Sequence, residues 1–133
     1  MSCLDVERVH IFRGRMRLTV RVSEQAPLRT SDEVAARVLA KRPELAVHSC
    51  VNATGPTFGD VIADTTLPHL LEHLIIAEQA RLLDAALRSE VLVGTTELVA
   101  DRRAVVEVSF VDDLVAVAAL RRGLAILDDA VTL

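Results

Sequence analysis

Alternating apolar and polar residues mark the clearest β-strand, at residues 15–22. Apolar side chains stand at positions 16, 18, 20 and 22, with three arginines and a threonine at the positions between and before them. This period of two predicts a half-buried strand with a basic outer face. Residues 6–12 are its predicted hairpin partner, because Arg13-Gly14-Arg15 offers a turn in which glycine can take a positive φ.

Three helices are predicted from N-terminal capping residues and helical spacing. Residues 30–33 have the spacing of a capping box and begin a helix that runs to about Arg42, before Pro43. Thr65 or Thr66 caps the longest helix, which has proline in its first turn and runs to about residue 87. Asp112 or Asp113 is expected to cap a final helix over residues 114–129.

The remaining segments complete the predicted fold. Residues 45–51 are predicted to form a short strand, and residues 52–65 form a loop rich in glycine, proline and threonine. Residues 90–100 and 104–111 are predicted to pair as antiparallel strands that turn at 101–103. The order ββαβαββα predicts a single α+β domain over residues 1–133, with two layers and helices on one face of a largely antiparallel sheet.

Composition and charge narrow the classes of function. The chain has 133 residues, of which 51% are hydrophobic and 26% charged, as expected for a folded domain with a buried core. A net charge of -4 and only three aromatic residues argue against nucleic-acid binding. Two cysteines, the lack of a signal sequence and the lack of a long apolar stretch predict a cytoplasmic protein without a membrane partner. Homo-oligomerisation is left open.

One motif indicates a catalytic metal site, the sequence His69-Leu70-Leu71-Glu72-His73. It matches the H-x-x-E-H pattern of the inverted zincins. Residues four apart share a helix face, so His69 and His73 can both ligate one zinc ion. Glu72 lies beside them and can accept a proton from water as a general base. The alternative is that both histidines are partly buried and hydrogen-bonded, with Glu72 a solvated neighbour.

A catalytic zinc site normally has a third protein ligand. We predict Glu107 for this role, because it is the lone charge in the apolar run of residues 105–111. The alternative is an outward-facing Glu107, since the more apolar face of that strand carries positions 106, 108 and 110. Cys50 could also ligate, although a cysteine of this kind is more often a buried small hydrophobe. Glu78 lies off the histidine face and is predicted to be solvated.

These features together resemble the N-terminal domain of cyanophycin synthetases. The resemblance is specific in the H-x-x-E-H helix and extends to Phe12-Arg13-Gly14, His48-Ser49-Cys50, residues 55–60, Gln79, Gly94-Thr95 and Val105-Val106-Glu107. It implies a metal-dependent hydrolase-like domain, similar in fold logic to the pitrilysin metallopeptidases. In some members of the family this domain trims an Asp-Arg polymer to make primers.

Three features depart from the family's pattern. The arginine-rich stretch expected after the long helix reads Val93-Gly94-Thr95-Thr96, the Gly-rich loop is altered, and the acidic residue after the motif is Ala77. Two functions are therefore expected from the sequence. The first is a zinc-dependent hydrolase of peptide or isopeptide amide bonds, with a polymer-like or peptide-like substrate. The second is a non-catalytic binding or assembly module related to cyanophycin synthetase.

Overall fold

The computed structural model describes residues 2–83 and 91–132. It consists of an antiparallel four-stranded sheet and three α-helices, which confirms the predicted α+β class. The strands are β1 Leu4–Phe12, β2 Arg15–Val22, β3 Gly94–Ala100 and β4 Arg103–Ser109, and the helices are α1 Asp32–Lys41, α2 Leu67–Leu82 and α3 Asp113–Val131. Helix α2 packs against the sheet, and α3 packs along α2.

The sheet has the strand order β1-β2-β4-β3, with β3 and β1 at its edges. The predicted turn between β1 and β2 is confirmed, with φ of 31° at Arg13 and 76° at Gly14. In the central pair, Leu18 lies across from Val106, and the neighbouring Arg17 lies across from Glu107. Because side chains alternate along strands, the first pair lies in the core and the second lies on the opposite face.

Each helix begins at a residue whose side chain caps it. The hydroxyl of Ser31 accepts from the N–H of Val34, and the hydroxyl of Thr66 accepts from the N–H of His69. Asp112 accepts from two backbone N–H groups in the first turn of α3. The predicted helix starts are therefore confirmed, with Thr66 and Asp112 as the capping residues of α2 and α3. The predicted capping box at residues 30–33 is wrong, because the cap of α1 is Ser31 and the residue three positions later is Val34.

The predicted strand at residues 45–51 is wrong. Pro43–Val47 forms a 3-10 helix, and Ser49 makes an isolated bridge to Thr57. Proline at the start of this segment has a fixed φ that suits the first turn of a helix, which explains the difference. A second 3-10 turn, Phe58–Asp60, lies within the predicted loop. The predicted end of the long helix near residue 87 and the predicted strand start at residue 90 lie outside the described residues.

Helix α2 is buried on nearly all sides, so polar residues as well as apolar ones lie in the interior. Glu78 is fully buried, where it binds the guanidinium groups of Arg42 and Arg122. The prediction that Glu78 is solvated is therefore wrong, because the 3-10 segment and α3 cover the side of α2 that a surface helix would expose to water. Among the described residues, no helix is both long enough and apolar enough to cross a membrane.

Candidate metal centre

The first two turns of α2 bring His69 and His73 to the same face of the helix. Nδ1 of His69 lies 2.8 Å from the hydroxyl oxygen of Thr65, and Nδ1 of His73 lies 3.1 Å from Nδ1 of His48. Each ring is thus held through one nitrogen by a neighbouring side chain. A metal-ligating histidine is commonly oriented in this way through the nitrogen that does not bind the metal.

Cys50 joins the two histidines from the segment after the first 3-10 helix. Its Sγ lies 3.5 Å from Nε2 of His69. One ligand atom each from Cys50, His69 and His73 lies within 4.8 Å of the others. Atoms bound to one tetrahedral zinc ion at about 2.0–2.3 Å lie about 3–4 Å apart, so small side-chain rotations would bring this trio into place.

Phe58 packs the histidine rings from one side. Its ring stacks on His73 with 3.9 Å between centroids and meets His69 edge-on at 5.0 Å. The turn that carries Phe58 is fixed by a capping box, in which the side chain of Asp60 accepts from the backbone of Thr57. The apolar ring thus shields the histidines and limits the positions that they can take.

Glu72 lies beside the trio without belonging to it. Its Oε1 accepts a hydrogen bond of 2.7 Å from the hydroxyl of Thr96, and its Oε2 lies 3.6 Å from Nε2 of His73. Gly94 of β3 allows this approach, since a Cβ there would come 2.8 Å from Cγ of Glu72. The carboxylate is therefore placed beside a candidate metal position by contacts on both sides.

Burial shifts the pKa of Glu72 and of the three histidines around it. It raises the pKa of Glu72 to about 7, against the smaller opposing effect of the Thr96 hydrogen bond. It lowers the pKa of His69 and His48, and it lowers that of His73 to about 3 with added repulsion from the other two rings. The histidines are consequently neutral near pH 7, the form that binds metal, and Glu72 is poised to exchange a proton.

The structure does not bring Glu107 to this site, so the prediction of Glu107 as third ligand is wrong. Its carboxylate lies on the open face of the sheet, at 3.0 Å from the guanidinium groups of both Arg15 and Arg17. The neighbouring Val106 and Val108 face the core instead. The alternation of β4 therefore directs Glu107 away from α2, and the third ligand-type side chain near the two histidines is that of Cys50.

A cavity of about 700 Å³ opens over the candidate ligands. Its walls are formed by residues 48–51, the first half of α2, and residues 91–96 together with Leu98. Glu72, His69, His73 and Cys50 all line it, so a molecule in the cavity can reach the base and the ligand atoms together. Pockets that combine apolar walls with a few converging polar groups are typical of small-molecule and active sites.

Sequence reasoning placed His69, Glu72 and His73 together but gave little weight to Cys50. The nearest signal was the pair His48 and Cys50, two ligand-type residues separated by one position. Comparisons with protein-family models, curated proteins and solved structures gave no match for this chain.

Proposed function

We propose that this protein is a zinc-dependent hydrolase of amide bonds, with Cys50, His69 and His73 as ligands and Glu72 as general base. The observation that supports this most directly is the position of Glu72. It contacts His73, faces the same cavity as the three ligand-type side chains, and stays outside their cluster. A carboxylate so placed can act on a substrate while the other three hold the metal.

The donor set fits zinc. One thiolate and two imidazoles form a borderline-soft set of the kind that zinc prefers. Three protein ligands leave a fourth position for water or substrate, which distinguishes a catalytic site from a closed structural one. Cys50 is a free cysteine, and thiols stay reduced most readily in the cytoplasm, the location expected from the sequence.

The residues around the metal position have separate roles in the proposed reaction. Zinc, when bound, supplies Lewis acidity that polarises a carbonyl group and makes water more acidic. Glu72 takes a proton from the attacking water and later delivers it to the leaving amine. Thr96 holds the carboxylate in position, while Thr65 and His48 hold the two histidines.

The proposal that the target is an amide bond rests on the sequence. The H-x-x-E-H helix resembles the N-terminal domain of cyanophycin synthetases, which supports a peptide or isopeptide amide as the target. A non-catalytic binding or assembly module remains the competing proposal. It predicts that the cavity binds a partner without turnover, whatever the metal content.

Zinc content and turnover test the proposal together. Protein purified without a His tag is expected to carry about one zinc per chain, and the double change His69→Ala with His73→Ala is expected to abolish it. Glu72→Gln keeps the size of the side chain and a carbonyl acceptor for Thr96. It is expected to keep zinc while turnover falls by a factor of about 10² or more.

The substrate panel should include Asp-Arg polymer, isopeptide-linked dipeptides and ordinary peptides. Chelation should abolish turnover and zinc should restore it, which separates zinc chemistry from direct attack by the Cys50 thiol. Wild-type protein that fails to bind zinc at micromolar levels would refute the proposal, as would full activity in Glu72→Gln. Zinc binding without turnover on the whole panel would favour the non-catalytic module.

A further inference from the structure

The walls of the cavity carry aliphatic side chains in place of charges. Beyond the candidate site, the described residues that line it are small, hydroxyl-bearing or aliphatic. The aliphatic ones are Val51, Ile76, Val91, Leu92, Val93 and Leu98. Among the described lining residues there is no lysine, arginine or aspartate, and Glu72, the one carboxylate, is already bonded to Thr96.

Several of these aliphatic side chains are open to water. The exposed fraction is 82% for Val91, 49% for Val93 and 47% for Leu98, and Val51 is fully exposed. Exposed apolar surface gathered around a groove is costly in water and marks a site that a ligand covers. An acidic side chain entering this cavity would lose hydration without meeting a lysine or arginine among the described lining residues, and a basic one would meet only Glu72.

The edge of the sheet runs along the same cavity. Strand β3 has β4 on one side and no other described strand on the other. Ser109 donates its N–H to the carbonyl of Val93, so the antiparallel alternation directs the backbone groups of Gly94 and Thr96 away from β4. An extended chain can form main-chain hydrogen bonds with such an edge, which places it beside Glu72.

We propose that the cavity binds an extended, uncharged peptide segment with aliphatic side chains next to the scissile amide. This inference rests on the proposed hydrolase function and names its substrate class. The main chain of the segment pairs with the edge of β3, and its aliphatic side chains cover the exposed valines and Leu98. A polymer with alternating acidic and basic side chains is accordingly a poor substrate.

Two capped heptapeptides provide the first test. One is acetyl-Ser-Val-Ala-Leu-Ala-Val-Ser-amide, and in the other Asp and Arg replace the three branched residues. Binding is measured by calorimetry on metal-free wild-type protein, which separates recognition from turnover. The aliphatic peptide is expected to bind at least about tenfold more tightly, because burying one or two aliphatic side chains supplies that difference.

Two consecutive residues of β3 provide matched variants. Leu98 and Val99 are similarly exposed, at 47% and 51%, but Leu98 lines the cavity and Val99 does not. Leu98→Arg is expected to weaken binding of the aliphatic peptide about tenfold, and Val99→Arg less than about twofold. Val51→Arg, at a fully exposed lining position, gives a second test if Leu98→Arg does not fold.

The outcomes separate this inference from the proposed function. Equal or tighter binding of the charged peptide would overturn it, as would no binding of the aliphatic peptide at about 1 mM. An unchanged affinity in both Leu98→Arg and Val51→Arg would also overturn it. Preferential binding without cleavage by zinc-loaded protein would support the substrate-binding inference and refute the hydrolase. Zinc-dependent cleavage that favours the charged peptide would support the hydrolase and refute the substrate-binding inference.

Discussion

The two faces of the sheet use the same strands to create opposite environments. On the covered face, Val106 and Val108 pack in the core below α2, next to the cavity that holds Glu72. On the open face, the intervening Glu107 pairs with Arg15 and Arg17. A single step along β4 therefore decides whether a side chain lies in the core below α2 or among paired surface charges.

Two glutamates show what this difference does to the chemistry of a carboxylate. Burial raises the pKa of Glu72 to about 7 on the covered face. On the open face, a hydrogen bond from Arg103 lowers the pKa of the exposed Glu7. A carboxylate that is to exchange protons near neutral pH is thus favoured by burial on the covered face, whereas the contact with Arg103 on the open face favours the ionised form of Glu7.

The largest expected effect concerns stability. Glu78→Gln removes the charge from a fully buried side chain and leaves the guanidinium of Arg42 without its ionic partner. Breaking a buried ion pair in this way typically costs about 3–5 kcal/mol. Urea unfolding of metal-free protein should show a loss in free energy of unfolding of that size.

Glu107→Gln is the matched control on the open face. It also removes a carboxylate that binds two arginines, but those arginines stay in contact with water. The expected loss is below about 1 kcal/mol. Equal losses in the two variants would mean that the difference in burial between the two faces has little energetic consequence.

Local patterns predicted much of the fold. The period of two in β2, the glycine turn after β1 and the capping residues of α1, α2 and α3 act between residues that are close in sequence. The same holds for the placement of His69, Glu72 and His73 on adjacent turns of one helix. Such short-range geometry can be derived without knowing the rest of the chain.

The errors arose where distant segments meet. Glu107 was assigned to the site because its charge stood out in an apolar strand, yet its direction depends on which strand face α2 covers. Glu78 was predicted to be solvated because the 3-10 segment and α3, which cover α2, could not be placed from sequence. Cys50 contacts His69 from a segment that turns back between Cys50 and Pro56, and no local spacing encodes this contact.

Zinc affinity sharpens the comparison of Cys50 with Glu107. Cys50→Ala is expected to weaken zinc binding more than about 100-fold, since the loss of a ligand exceeds the 10–100-fold effect of losing an outer partner. Glu107→Ala should leave the affinity unchanged, because its carboxylate lies on the other face of the sheet. Competition with a chromophoric chelator measures both. A larger loss in Glu107→Ala than in Cys50→Ala would reverse the assignment of the third ligand.

The two faces are also expected to differ in how the free energy of unfolding depends on pH. The pKa of Glu72 is raised from 4.5 to about 7 in the folded state, so its contribution to stability is fully present below pH 4.5. This contribution is lost as the pH rises to about 7, at about 1.4 kcal/mol per pH unit. In urea unfolding experiments, the free energy of unfolding of metal-free wild type relative to Glu72→Gln should therefore decrease from pH 4.5 to 7.

For Glu7→Gln, the stability difference from wild type should change with pH in the opposite direction. The pKa of Glu7 is lowered in the folded state, so its contribution is present above pH 4.5 and is lost as the pH falls through the folded value. The difference in free energy of unfolding between wild type and Glu7→Gln should thus diminish in acid. The difference between wild type and Glu72→Gln should be greatest there. If the advantage over Glu72→Gln stays constant from pH 4.5 to 7, the carboxyl of Glu72 titrates alike in the folded and unfolded chains. The covered face would then give this carboxylate no property that the open face lacks.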